Sequence, residues 1–190
     1  SFIFTGNNYQ ENIQVSYWGD LTKIRQISSS AHANVQIHPN TLLYEGVPRV
    51  IRIMLPDDYK TSNKAYPVLY MLDGQNLFDK ATSLYQFEWQ ADEHLIEYMV
   101  EQNHPGFIIV GIDSSNDCQR LAEYTGWQWQ HAHCGKIQGA AKKHAAFLAK
   151  HVKPYIDKKF NTLATREHTY IGGSSLGGYM ALYTGLTYQD

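Results

Sequence analysis

Polar and apolar residues alternate from Asn12 to Trp18. Ile13, Val15 and Tyr17 fall on one side and Asn12, Gln14 and Ser16 on the other, the pattern of a strand with one buried face. Trp18-Gly19-Asp20 reads as a turn, Thr22 to Ile27 as a returning strand, and Ser28-Ser29-Ser30 as a break. Val35 to Tyr44 and Arg49 to Leu55 then pair around Glu45-Gly46, a hairpin turn, and Pro56 ends the pair because proline cannot go on donating to a ladder. Beyond it the pattern changes character. Val68 to Leu72 is apolar throughout, as are strands buried on both faces of a parallel sheet, and it ends in the polar turn Asp73-Gly74-Gln75-Asn76. A helix is predicted from Trp89 to Gln102, with Ala91, Leu95 and Met99 four apart and Ile96 and Val100 beside them; Asn103 and Pro105 stop it. Phe107 to Ile112 is a second apolar strand, ending at Asp113-Ser114-Ser115-Asn116. A polar, aromatic loop leads to a helix from about Gln138, its stripe formed by Ala141, Ala145, Leu148, Val152 and Ile156 and its last turn kinked by Pro154. Thr169 to Gly172 is the last strand. It runs directly into Gly173-Ser174-Ser175-Leu176-Gly177-Gly178 and a third helix.

Antiparallel strands followed by alternating strand and helix define an α/β domain with a mostly parallel sheet. A chain of 190 residues is one domain by default, with residues 1–34 as an N-terminal strand extension within it. Ligands in such sheets bind beyond the carboxyl ends of the strands, where all three polar turns fall. Composition adds exclusions. Hydrophobic residues at 43% and charged ones at 18% are those of an ordinary globular protein, which excludes disorder. A net charge of −2 implies neither nucleic acid nor a polybasic membrane surface as partner. Cys118 and Cys134 cannot build a disulfide framework, though they leave one bridge open. No apolar run approaches the length of a membrane span, and Ser1-Phe2-Ile3-Phe4 reads as a processed end rather than a signal peptide, so the cytoplasm is the default location.

Gly173-x-Ser175-x-Gly177 carries the chemistry. It matches G-x-S-x-G, the nucleophile elbow, with an apolar strand before it and a helix after it. Such a turn holds the serine in a strained backbone and lifts its side chain above the sheet, while glycines two before and two after avoid clashes with neighbouring backbone. The helix that follows favours an anionic oxygen at its N-terminus. A phosphate-binding turn and a purely structural one are the alternatives. Acyl transfer also needs two donors aimed at the developing oxyanion. The backbone N–H of Leu176 is one, and the Asp73-Gly74-Gln75 turn is placed to supply the other through the N–H of Gln75.

These residues resemble a family. Leu55-Pro56 with Tyr59, Tyr66 to Asp79, Val110 to Asp113, Arg120 to Tyr124, Lys153 to Asp157 and the elbow itself look like the "Putative esterase" branch of the α/β-hydrolases. That branch includes enterochelin, feruloyl and acetylxylan esterases, S-formylglutathione hydrolase and the mycolyltransferases. The resemblance covers about Arg49 to Asp190 and implies an α/β-hydrolase fold, Ser175 as nucleophile, and Gln75 and Leu176 as oxyanion donors. It sets Asn76, Arg120 and Tyr124 on the cleft wall as substrate contacts; a buried tyrosine and an ion pair between Arg120 and Glu123 are the alternative. It implies a serine carboxylesterase acting on a small or carbohydrate-linked ester, with no cofactor and no metal. An acyltransferase of the same fold and a noncatalytic interaction domain are the competing readings.

The family's order of serine, then acid, then histidine is not met here. After Ser175 the chain holds one carboxylate, Asp190, and no histidine; all nine histidines lie upstream. A serine without a base is a poor nucleophile. The expectation is therefore an apparently truncated hydrolase, its last strands missing and this chain alone inactive, with a missing C-terminal segment or a second copy covering the exposed sheet edge. His131-x-His133-Cys134 lacks a fourth metal ligand at a recognisable spacing and reads as a polar loop. Trp127, Trp129 and Tyr124 are placed to stack on a substrate ring, or simply to pack over the sheet end.

Overall fold

In the computed structural model, which describes residues 2–5, 12–15, 25–115 and 117–189, the first long element pair is a hairpin. Three short strands precede it: β1 (Phe2–Thr5), β2 (Asn12–Val15) and β3 (Arg25–Ile27) form a small antiparallel sheet of their own. The turn read at Trp18–Asp20 lies outside the described residues, as does the start of the strand read from Thr22. Strands β4 (Val35–Tyr44) and β5 (Val47–Met54) pair antiparallel, and the chain reverses between them at Glu45 and Gly46. Both turn residues have positive φ, 51° and 82°, matching the twist of the flanking strands.

The main sheet adds β6 (Val68–Leu72), β7 (Ile108–Ile112) and β10 (Thr169–Gly172) in the order β10-β6-β7-β5-β4. β5 is antiparallel to both its neighbours and β6 is parallel to both of its own, so four strands run one way and β5 alone runs against them. All of β7 is buried, and its side chains divide by the two-residue period of a strand. Ile108, Val110 and Ile112 join the larger core with Ile51, Ile53, Leu72 and Met180, whereas Ile109 joins Met54, Leu77, Phe78 and Leu95 on the opposite face.

Helix α1 (Ala91–Glu101) covers the smaller core. Leu95 is buried as its spacing predicts, but Val100 is 78% exposed and Asp92 is wholly buried. Asp92 is covered by the strap Ser28–Asn34 at the start of this helix: the backbone N–H of His32 donates to Asp92 Oδ2 at 2.8 Å, and Ser29 and Ser30 bond Asp79 and Glu88 just before it. Burial pushes the Asp92 carboxyl up to about 7. On the other face the long helix is three pieces in line: α3 (Ala141–Phe147), a π turn (Leu148–Val152) and α4 (Lys153–Lys159). Pro154 has no N–H for the carbonyl four residues back. The ladder widens just before it, with Lys153 N–H donating to Leu148 O, and the predicted stripe from Ala141 to Ile156 stays buried. The loop read between β7 and this helix contains α2 (Asp117–Glu123) and a hairpin of β8 (Trp129–His131) and β9 (Gly135–Ile137). A disulfide between Cys118 and Cys134 ties the two together.

Candidate active site

Ser175 stands between β10 and α5 (Leu176–Thr187), with φ 54° and ψ −125°, and is exposed. Positive φ in a non-glycine residue costs on the order of 1–3 kcal/mol and persists only where surrounding structure enforces it. Here the enforcement is close packing across the turn. A Cβ on Gly173 would lie 2.6 Å from the carbonyl carbon of Gly177, and one on Gly177 would lie 3.0 Å from Asp73 Oδ2. Gly177 N–H donates to Ser174 O at 2.8 Å and Tyr179 N–H to Ser175 O at 3.2 Å, so the helix begins at the serine. Ser174 is exposed as well, one residue out of frame.

Beside this turn β6 ends in Asp73, also left-handed at φ 59°, followed by the single 3-10 turn Gly74–Asn76. A Cβ on Gly74 would sit 2.6 Å from Gly111 C and 2.7 Å from Ile112 N, so only glycine lets this turn lie against β7. The Gln75 carboxamide is engaged at both ends by Ser114: Nε2 donates to Oγ at 2.9 Å, and Ser114 N–H donates to Oε1 at 3.0 Å. Its backbone amide is therefore the group to consider for the cleft. Asn76 braces the loop that follows, its Oδ1 accepting Leu84 N–H at 2.8 Å and its carbonyl accepting Trp89 N–H at 2.7 Å.

Three arginine–carboxylate ion pairs lie behind these turns. Arg120 grips Asp73 through two parallel bonds, Nε to Oδ1 at 2.6 Å and a terminal nitrogen to Oδ2 at 2.8 Å. The Arg120–Glu123 pairing, open from sequence, is not made. Glu123 instead takes Arg49 at 2.8 Å, with both side chains nearly inaccessible. Arg52 holds Asp113 bidentately at 2.8 and 2.9 Å; burial still raises the Asp113 carboxyl, with the Arg52 charge working against it. Tyr124 is wholly buried. Its hydroxyl stands 3.4 Å from Asp73 N, its ring lies 4.9 Å from the Arg120 guanidinium, and burial followed by the Asp73 charge raises its pKa. Its buried position sets it against Asp73 rather than toward a bound ring. Trp127 is half exposed, its ring edge-on to Tyr179 at 5.2 Å, one helical turn beyond Ser175.

His144 is fully buried between the Tyr44 and Tyr124 rings, 5.1 and 5.3 Å away. Cys134 is consumed by the disulfide, and among the described residues no group of three or more His, Cys, Asp or Glu is arranged to hold a metal ion. No helix among the described residues is long and apolar enough to cross a membrane. Sequence reasoning missed Asp73 itself as a paired acid; its only local signal was its place at the end of an apolar strand.

Comparison with solved structures gives the fold, an α/β-hydrolase-like fold shared with solved hydrolases and esterases. An IroE-like serine hydrolase of Shewanella oneidensis matches with a TM-score of 0.57 and 24% identity over 80% of this chain and 46% of its own. An enterochelin esterase of Shigella flexneri matches with a TM-score of 0.59 and 17% identity, over 84% of this chain and 34% of its own. The family is defined by sequence. Residues 46–190 match the model of the family described as "Putative esterase", and the chain belongs to that family. It is 25% identical over 144 residues to the uncharacterised protein YbbA of Bacillus subtilis, covering 75% of this chain and 52% of that protein. It is 26% identical over 136 residues to an esterase of Mycobacterium tuberculosis, covering 70% of this chain and 25% of that protein. The chain thus spans about half, or less, of the length of these relatives.

Proposed function

We propose that this chain carries the nucleophile and oxyanion site of a serine carboxylesterase acting on a small or carbohydrate-linked ester. The observation that carries the reading is Ser175: exposed, held at positive φ between strand and helix, with Gly173 and Gly177 in contact across the turn. In the reaction, Ser175 Oγ attacks the ester carbonyl carbon while its proton passes to a base. The carbonyl oxygen becomes an oxyanion received by the N–H groups of Gln75 and Leu176, each such donor being worth about 3–4 kcal/mol of barrier. The intermediate collapses with loss of the alcohol, which takes the proton, and water releases the acyl group from Ser175. The base and its orienting acid come, in this reading, from outside the described residues. Trp127, propped by Tyr179, offers a planar wall to a ring-bearing ester. The Cys118–Cys134 bridge favours an oxidising compartment over the cytoplasmic default.

The test uses the complete gene product, an aryl acetate and a fluorophosphonate probe. The native protein hydrolyses the ester and labels; Ser175→Ala does neither, and Ser174→Ala does both. Loss of labelling in Ser174→Ala alone would overturn the assignment, and a native protein that neither labels nor hydrolyses would support a noncatalytic domain. Added alcohol or sugar acceptors distinguish an acyltransferase, which would give transfer products in excess of hydrolysis.

A further inference from the structure

We infer that Arg120 is a positioning residue of the oxyanion site, fixing the Gln75 and Leu176 amides relative to one another through Asp73. This rests on the esterase reading above and deepens it. The two amides belong to chain segments far apart in sequence, and Asp73 touches both. Its main chain opens the turn that carries Gln75, a turn closed by Asn76 N–H donating to Asp73 O at 2.9 Å. Its carboxylate reaches across to α5, where Oδ2 lies 3.0 Å from the place of a Cβ on Gly177, the residue after Leu176; Tyr124 Cε2 is 3.8 Å from the same point.

Asp73 occupies a left-handed conformation that a side chain resists, so something has to hold it. Arg120 does so from α2, 47 residues away, with a two-pronged grip that sets the carboxylate's direction as well as its distance. The grip is shielded, Asp73 being 3% and Arg120 22% exposed at the side chain. The guanidinium lies over the buried Tyr124 ring, whose hydroxyl meets the Asp73 N–H, so carboxylate and amide of one residue are held from one side. A lysine reaches as a point charge and cannot reproduce the fork. Loosening the grip lets the two amides drift apart, which weakens the transition state while leaving ground-state binding in place.

The test measures kcat and KM for a neutral aryl ester, and inhibition by a trifluoromethyl ketone that forms a tetrahedral adduct, on Arg120→Gln, Arg120→Lys and Asp73→Asn in the complete gene product. The expected result is a 10- to 100-fold fall in kcat with KM within about twofold of native, since full loss of an oxyanion donor costs about 10²–10³. The ketone's affinity should fall by the same factor, a relation that mere destabilisation would not produce. Arg120→Lys should lie between native and Arg120→Gln, and it decides the matter if Arg120→Gln does not fold. Native kcat in a folded Arg120→Lys or Arg120→Gln protein would overturn the inference, as would a raised KM at native kcat, which marks direct substrate contact. Ser175→Ala in the same assay separates the two levels. If it stays active, the esterase reading fails; if it is dead while the Arg120 variants are not, only the positioning role fails.

Discussion

Replacing Gly173 with alanine tests the elbow where its geometry is least forgiving. The new Cβ would stand 2.6 Å from Gly177 C and 2.7 Å from Gly177 O, both backbone atoms, whereas ordinary contact begins at 3.4 Å. The difference of about 0.8 Å has to come from opening the turn itself, since no flexible side chain is available to move. A displacement of about 1 Å between reacting groups costs roughly 10²-fold in rate, and overpacking of this kind costs about 1–3 kcal/mol of stability. Gly173→Ala should therefore lose about two orders of magnitude in kcat for an aryl ester. Gly177→Ala meets a side-chain oxygen first, Asp73 Oδ2 at 3.0 Å, only about 0.4 Å inside ordinary contact at 3.4 Å, so its loss should be about tenfold or less. Gly46→Ala provides the contrast: nothing lies within 4 Å, but φ is 82°, so it should cost about 1 kcal/mol in denaturant melts and nothing in kcat. Native activity in Gly173→Ala, or a Gly177 variant worse than the Gly173 one, would refute the packing argument.

Two further predictions concern the groups beneath the site. Burial first, and the Arg49 charge second, lower the His144 pKa to about 3, against an ordinary 6.5. The unfolded chain then binds a proton that the folded one refuses, so stability is lost as pH falls from 6.5 toward 3; at pH 5 the loss is about 2 kcal/mol. Urea melts of His144→Leu should show a smaller drop between pH 7 and pH 5 than the native protein, and equal drops would refute the linkage. Opening the Cys118–Cys134 bridge, whose ends are 16 residues apart, should cost about 3 kcal/mol in melts of Cys118→Ser with Cys134→Ser. Because α2 carries both Cys118 and Arg120, kcat should fall severalfold too; an unchanged melting temperature would sink the prediction.

What the sequence made legible follows a physical rule. β6 and β7 could be read to within a residue because their unbroken apolar runs stop at polar turns, and β10, which is only partly covered, because it leads straight into the glycine-rich turn. The strained strand-to-helix turn at Ser175 was readable because its constraint is local: two glycines and a serine inside five residues. Helix α2 and the β8–β9 hairpin were not, since they are short and tied together by a disulfide rather than by a periodic apolar face. Local spacing also misleads about charge. Arg120 and Glu123 are three apart on a helix, the distance of a local pair, yet each turns to a partner on another segment, Asp73 and Arg49. Asp92 fell on an otherwise apolar face for the same reason, because its partner is a strap that only the fold brings over it.

In the proposed reading, the pairing of the two oxyanion donors follows from the sheet register. β6 and β10 are parallel neighbours, and their register sets Met71 opposite Gly172. Counting forward from that pair, Gln75 and Leu176 are both four residues on, so the two amides leave adjacent strands at the same height, with strands about 4.8 Å apart. Each chain then turns away through a residue of positive φ, Asp73 in one case and Ser175 in the other, and each enters a helical turn immediately afterwards. Helical turns leave their first N–H groups without intrahelical partners, and in the proposed reading those of Gln75 and Leu176 are the ones that receive the oxyanion. A one-residue change in either loop would break this matching. Inserting a glycine between Asp73 and Gly74 should therefore abolish ester turnover while Ser175 remains in its elbow and still labels, though more slowly, with the fluorophosphonate. A variant with that insertion and undiminished turnover would show that the matched offset is incidental.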